Sequence, residues 1–231
     1  MKPHRLAIAL LVAAAATNAS AADARHPVVV ELFESQGCSS CPPANANVAA
    51  IADRPDILAL NFSVTYLDYL GWKDTFASPA YTARQWDYAR GLGHKNVYTP
   101  QVVVNGRIDD TGTDARELAQ LIHAGERGAA GPDIAIEDGV ARLGAGSAPR
   151  QGADVWLARY DPRVIQVPIR RGENGGRTLP HKNVVKELVR LGAWTGQATT
   201  LRLPPATDPA LKTAVFIQLP KGGQILAAAK G

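Results

Sequence analysis

The sequence predicts an α/β first half followed by a mainly antiparallel, β-sandwich-like second half. Three observations predict it. Strand-like and helix-like segments alternate as far as residue 124. The run Gly125-Glu126-Arg127-Gly128-Ala129-Ala130-Gly131-Pro132 then interrupts the pattern, because Gly and Pro punctuate structure. After it come short apolar segments separated by turn residues, as in a sandwich or barrel.

In chain order, residues 28–33 are β-branched and apolar around Glu31, which suits a buried strand. Residues 44–52 are Ala-rich with Val48 and Ile51 on one side, which suits a helix ended by Asp53-Arg54-Pro55. Residues 57–64 read as a second strand. Residues 79–91 read as a helix, with Ser78 as N-cap and Pro79 at its first position. Residues 101–104 and 107–109 make a hairpin around Asn105-Gly106, a strong turn signal. Residues 113–124 read as a helix capped at Thr113 or Asp114, with Leu118, Leu121 and Ile122 on its apolar face. Strand–helix–strand order implies a parallel first pair. Beyond the interruption, residues 134–136 and 140–143 flank Asp138-Gly139 as a hairpin. Residues 155–160, 164–169, 184–191, 199–203, 214–219 and 224–228 are further short strands.

The first 21 residues stand apart. Lys2 and Arg5 precede an apolar run of 11 residues from Leu6 to Ala16, then Thr17-Asn18-Ala19-Ser20-Ala21. A membrane-spanning helix needs roughly 20 apolar residues. The order of positive, apolar and small-residue segments is that of a secretory signal peptide cleaved after Ala21. The domain organisation expected is a signal over 1–21, one domain over 26–126 and a mainly β accessory domain over 132–231. The expected location is periplasmic or secreted.

Composition excludes several classes. A hydrophobic fraction of 46% against 20% charged residues suits a chain with a core, not a disordered one. Two cysteines exclude a disulfide-dense scaffold. The net charge of +4 invites a nucleic-acid partner, but Lys2 and Arg5 leave with the signal. The remaining basic cluster, Arg170, Arg171, Arg177 and Lys182 among glycines, reads as a solvated loop. No stretch of the mature chain is long and apolar enough to span a bilayer.

Both cysteines fall in one motif, Cys38-Ser39-Ser40-Cys41, between the first strand and the first helix. Such a pair can cycle between dithiol and disulfide. A thiolate at the first cysteine is favoured by the helix N-terminus, and the second resolves the mixed disulfide. Three other readings stay open. One is a structural disulfide, worth only about 2 kcal/mol for so short a loop. Another is half of a metal site, for which His26, His94, His123 and His181 are scattered along the chain. The last is an inert buried pair. Pro42 and Pro43 carry no N–H, so Ser40 is the expected N-cap and Cys41 the first helical residue. Two amide donors are then missing from the end that attracts a thiolate. Thr99-Pro100 precedes the third strand, where Pro removes a ladder donor and suits a tight turn, cis or trans.

With its strand, Cys38–Cys41 motif, helix, and Thr99-Pro100 before a hairpin and helix, the first half resembles the thioredoxin superfamily. More narrowly, Glu31 to Ala44, Asp68-Tyr-Leu-Gly-Trp-Lys-Asp74, Val97-Tyr-Thr-Pro-Gln101 and Asn174-Gly-Gly-Arg-Thr-Leu179 resemble a secreted bacterial thioredoxin-like family of unknown function. The resemblance implies a thioredoxin-like fold for the α/β domain, and a groove shaped by Thr99 and Pro100 facing the dithiol. It departs after the second strand, where Ser63, Thr65 and Leu67 stand in place of the family's His, Asp and Trp.

The function expected is an exported thiol–disulfide oxidoreductase with Cys38 attacking and Cys41 resolving. Thr99, Pro100, Gln36, Tyr66, Asp68 and Trp72 are the expected substrate-binding residues. No cofactor is expected. The partner expected is a thiol- or disulfide-bearing protein, not nucleic acid. The alternative is a non-enzymatic binding module, whose cysteines form a permanent disulfide or hold a thiophilic ion such as Cu(I).

Overall fold

Residues 22–231 are described by a computed structural model; the expected signal peptide lies outside them. Among the described residues, thirteen strands and three α-helices form around one eight-stranded mixed sheet. In chain order these are β1 (Val28–Glu34), α1 (Cys41–Ile51), β2 (Ile57–Ser63), α2 (Pro79–Leu92), β3 (Gln101–Val104), β4 (Ile108–Asp110) and α3 (Ala115–Ala124). Then follow β5 (Ile134–Glu137), β6 (Val140–Leu143), β7 (Ala153–Asp161), β8 (Ile165–Pro168), β9 (Thr178–His181), β10 (Val184–Trp194), β11 (Thr199–Arg202), β12 (Lys212–Gln218) and β13 (Ile225–Lys230).

The large sheet runs β13-β12-β7-β10-β2-β1-β3-β4. β1 and β2 pair in parallel, as the first β-α-β unit requires, and β3 runs antiparallel to β1. Asn105 and Gly106 turn the β3–β4 hairpin with positive φ at both residues, which suits Asn-Gly.

The expected α/β thioredoxin-like domain followed by a separate β-sandwich is not what forms. The chain is mostly β-sheet, and strands of the second half extend the sheet of the first. The junction is at β2. Asn61 stands opposite Val184 of β10 in a parallel pair, and its N–H donates to Asn183 O at 2.9 Å. Asn183 Nδ2 donates to Ala59 O at 2.9 Å. The otherwise open edge of β2 is thereby satisfied by residues more than a hundred positions away.

Alternation along each strand builds a core on either face. On one face, Leu58, Leu60 and Phe62 of β2 meet Phe216 of β12 and Tyr81 and Tyr88 of α2. On the other, Val28, Val30 and Leu32 of β1 lie under α1 and α3. That same face, farther along, carries Val155, Leu157 and Val215 under the small sheet β11-β6-β5. Ser78 and Asp114 cap α2 and α3 by accepting backbone N–H groups. Among the described residues no helix is long and apolar enough to cross a membrane.

Candidate functional site at the Cys38–Cys41 disulfide

Cys38 and Cys41 form a disulfide in the turn that leads from β1 into α1. The turn is held by Cys38 N–H donating to Ser35 O at 3.0 Å and Cys41 N–H donating to Cys38 O at 3.3 Å. Ser40 is the N-cap and Cys41 the first helical residue, so Pro42 and Pro43 fall where helix N–H groups lack partners anyway. The Ser40 hydroxyl caps no backbone N–H. It lies 3.3 Å from Cys38 Sγ instead.

The β1–β3 register, with Phe33 opposite Gln101, sets the residues before β3 beside the exit of β1. Thr99 Oγ1 therefore donates to Cys38 Sγ at 3.5 Å, and the Thr99–Pro100 peptide is cis. The hydroxyls thus gather on Cys38 rather than Cys41. Little of the pair reaches the surface: Cys38 is 4% exposed and Cys41 1%.

The other anticipated residues divide. Gln36 is fully buried, accepting from Trp72 Nε1 at 2.9 Å through its side-chain oxygen and donating to Thr75 Oγ1 at 3.0 Å. Asp68 accepts from Asp74 N–H at 3.1 Å. Gln36, Asp68 and Trp72 thus knit one loop to the cysteine turn. Tyr66 is half-buried, with a hydroxyl that meets no hydrogen-bond partner. Tyr69 beside them is the most open aromatic, at 80% exposure.

The loop between β8 and β9 contributes contacts that sequence reasoning missed. Asn174 is fully buried, and its Nδ2 donates to Gln36 O at 3.0 Å and Cys38 O at 2.9 Å. Arg177 donates to Asn174 Oδ1 at 2.7 Å, which turns the amide's N–H groups toward the cysteines. Glu173 accepts from Ser39 N–H at 3.1 Å and from Ser39 Oγ at 2.7 Å. A carboxylate thus occupies the helix end that would otherwise favour an anion. The quoted Asn174 to Leu179 likeness was the only signal of this clamp in the sequence.

Beneath Cys41 lies a buried polar group, also unforeseen. Glu34 at the end of β1 meets His181 of β9, with Oε1 and Nδ1 2.9 Å apart. Asn45 of α1 lies 2.9 Å from the same nitrogen and donates to Pro180 O at 3.1 Å. Asp74 accepts from Gln36 N–H at 2.7 Å and Phe76 N–H at 2.8 Å.

The pattern of a family described as "Protein of unknown function (DUF1223)" matches residues 29–218. The chain belongs to the DUF1223 family. A crystal structure of a protein from Agrobacterium tumefaciens is similar to it, with 32% sequence identity and a TM-score of 0.74. That similarity covers 88% of this chain and 92% of the other. No curated protein matches the chain. The span matched to DUF1223 contains both cysteines, Thr99-Pro100, Asn174 and His181.

The buried acids give this DUF1223 protein a pH signature. Burial, then the charge of Glu34, push the Asp74 carboxyl up to about 6. Burial works against the His181 charge, but Glu34 outweighs it and raises the imidazole above its ordinary value. Ionising Asp74 therefore costs folding free energy. Its contribution is most favourable below the unfolded value near 4 and is lost as pH rises through about 6. The His181 contribution is present below the ordinary imidazole value of about 6.5 and is lost as pH rises through its higher folded value. Both signs agree. Urea unfolding should show greater stability at pH 5.5 than at pH 8. Asp74→Asn should remove about 1 kcal/mol of the difference between pH 5.5 and pH 8, the part of its shift that falls above pH 5.5. An unchanged slope in the variant would refute this account.

Proposed function

We propose that the protein is an exported thiol–disulfide oxidoreductase working through the Cys38–Cys41 pair. Cys38 is the sulfur that exchanges with partners, and Cys41 resolves. The observation that carries this reading is the asymmetry of the pair. Cys38 Sγ has the Ser40 and Thr99 hydroxyls beside it, able to donate to a developing thiolate. Cys41 faces the buried Glu34 and His181 instead. Thr99 and Pro100 would meet the partner's chain, with Tyr66 lining the approach. Gln36, Asp68 and Trp72 would hold the shape of that approach. The partner is a protein bearing a thiol or disulfide, and no cofactor is needed. An oxidising compartment beyond the inner membrane suits such a pair.

A second reading, a permanent structural disulfide, is favoured by the low exposure of both cysteines. The reduction potential separates the two. Equilibration with glutathione should place an exchanging pair between about −230 and −120 mV, whereas a value below about −300 mV marks a structural bond. Metal analysis of the reduced protein tests the thiophilic-ion variant.

A further inference from the structure

We propose that His181 is the proton carrier for Cys41, passing the proton through one water held between them; this rests on the redox reading above.

Glu34, Cys41, Asn45, Pro180 and His181 line one cavity of about 20 Å³. A site of roughly 10–15 Å³ with two or more polar partners holds a water molecule. The cavity is therefore sized for one. The ring of His181 is 1% exposed, and its two nitrogens are treated differently. Nδ1–H donates to Glu34 Oε1 at 2.9 Å, while the Asn45 amide nitrogen, itself a donor, gives its N–H to Pro180 O and makes no bond to Nδ1–H. Nε2 is buried and has no hydrogen-bond partner. A buried ring nitrogen left unpaired is costly, and a water in the cavity that Cys41 also lines would satisfy it. Glu34 is the positioning residue: its carboxylate fixes Nδ1–H and leaves Nε2 as the exchanging site. The other charged groups facing the ring are Asp74 from the loop before α2 and Lys186 from β10. Lys186 stands over the Phe76 ring at 3.9 Å, and Asp161 and Arg163 also bear on it. The Phe76 ring in turn packs edge-on against His181 at 5.7 Å. Burial and Lys186 oppose the charge of the ring, and Glu34 and Asp74 favour its protonated form.

The chemistry then balances. A partner dithiol, as thiolate, attacks Cys38 Sγ. A sulfur–sulfur bond forms to the partner, the Cys38–Cys41 bond breaks, and its electron pair leaves on Cys41. The His181 imidazolium gives its Nε2 proton through the water to Cys41, becoming neutral. The partner's second thiolate attacks its own sulfur in the mixed disulfide and expels Cys38 as thiolate. The partner loses two electrons and becomes a disulfide, and the protein gains a dithiol. In reverse, neutral His181 takes the Cys41 proton, and Cys41 attacks Cys38 in the mixed disulfide. That attack re-forms the pair and releases the partner thiolate.

The test uses the full chain and dithiothreitol as reductant. In the wild-type protein, log rate of reduction should rise less steeply with pH above the His181 titration than the ionisation of dithiothreitol alone requires. In His181→Gln the slope should follow that ionisation alone, with the rate at pH 6.5 down by about 10²-fold, the lower range for general acid catalysis. Parallel profiles with rates within a factor of about two would overturn the relay. Should the variant fail to fold, the His181 ring signal is followed by NMR in wild-type protein, oxidised and reduced. Coupling to Cys41 should shift its midpoint by about one unit on reduction. An unmoved midpoint overturns the relay while leaving exchange at Cys38 standing. A pair that dithiothreitol does not reduce at all overturns the redox reading, and the relay with it.

Discussion

Cys38→Ser is expected to abolish disulfide exchange, and Cys41→Ser to halt it half-way with a partner still attached. The two cysteines are chemically unequal in place, although three residues apart in sequence. Cys38 lies in the turn before the helix, with two hydroxyls on its sulfur. Cys41 opens α1 and faces inward to Glu34 and His181. On the redox reading, an incoming thiolate would have its leaving group directed to the interior, toward Glu34 and His181. The Cys38 variant should lose at least about 10³-fold in exchange with a dithiol substrate, as loss of an attacking group does elsewhere. The Cys41 variant should accumulate a mixed disulfide, visible on a non-reducing gel. The reverse pattern, with conjugates trapped by Cys38→Ser, would exchange the roles. Full activity in both variants would end the redox reading.

Glu31→Gln is expected to cost about 3–5 kcal/mol of stability, the range for breaking a buried ion pair from one side. Glu31 is fully buried in β1 and takes both arms of Arg84 from α2, at 2.8 and 2.6 Å. Tyr88 Oη donates to the same carboxylate at 3.0 Å, and Gln218 of β12 donates to Tyr88 Oη at 3.0 Å. Four aromatic rings, of Phe62, Tyr88, Trp156 and Phe216, surround the guanidinium at 5.0–5.7 Å. Burial opposes the Arg84 charge, but Glu31 outweighs it and keeps the guanidinium protonated. Removing the carboxylate's charge strands that cation among apolar rings. Glu31→Leu combined with Arg84→Met should recover most of the loss, because no charge is then left unpaired. Urea unfolding of the three variants checks this; a loss below about 1 kcal/mol for Glu31→Gln would contradict it.

Much of the local structure was legible in the sequence. Ser78-Pro79 marked the start of α2, and Asn105-Gly106 marked the β3–β4 turn, because caps and turns are written in a few adjacent residues. The motif at Cys38 and Cys41 was legible for the same reason. β9 was missed: four residues with Pro180 among them carry no alternation that stands out from a loop. Sheet order was not legible either. The pairing of β2 with β10 rests on single side chains, such as Asn183 reaching Ala59 O, that no periodicity encodes. The same limit hid the site's second half. His181 looked isolated and Asn174 was only part of a motif without a role, because what gives them meaning lies about 135 to 150 positions away.

The position of Asn61 against Asn183 bears on how the chain is made. While only the first 150 residues have emerged into the compartment where the chain folds, β2 has one hydrogen-bonding flank bare, and a bare flank recruits other strands. The cysteines are also without Glu173 and Asn174 at that stage. The interval before β10 arrives is therefore both the time of greatest aggregation hazard and the time when an oxidant reaches Cys38 most freely. A polypeptide built this way gains from an escort that shields strand edges until the second half has been delivered.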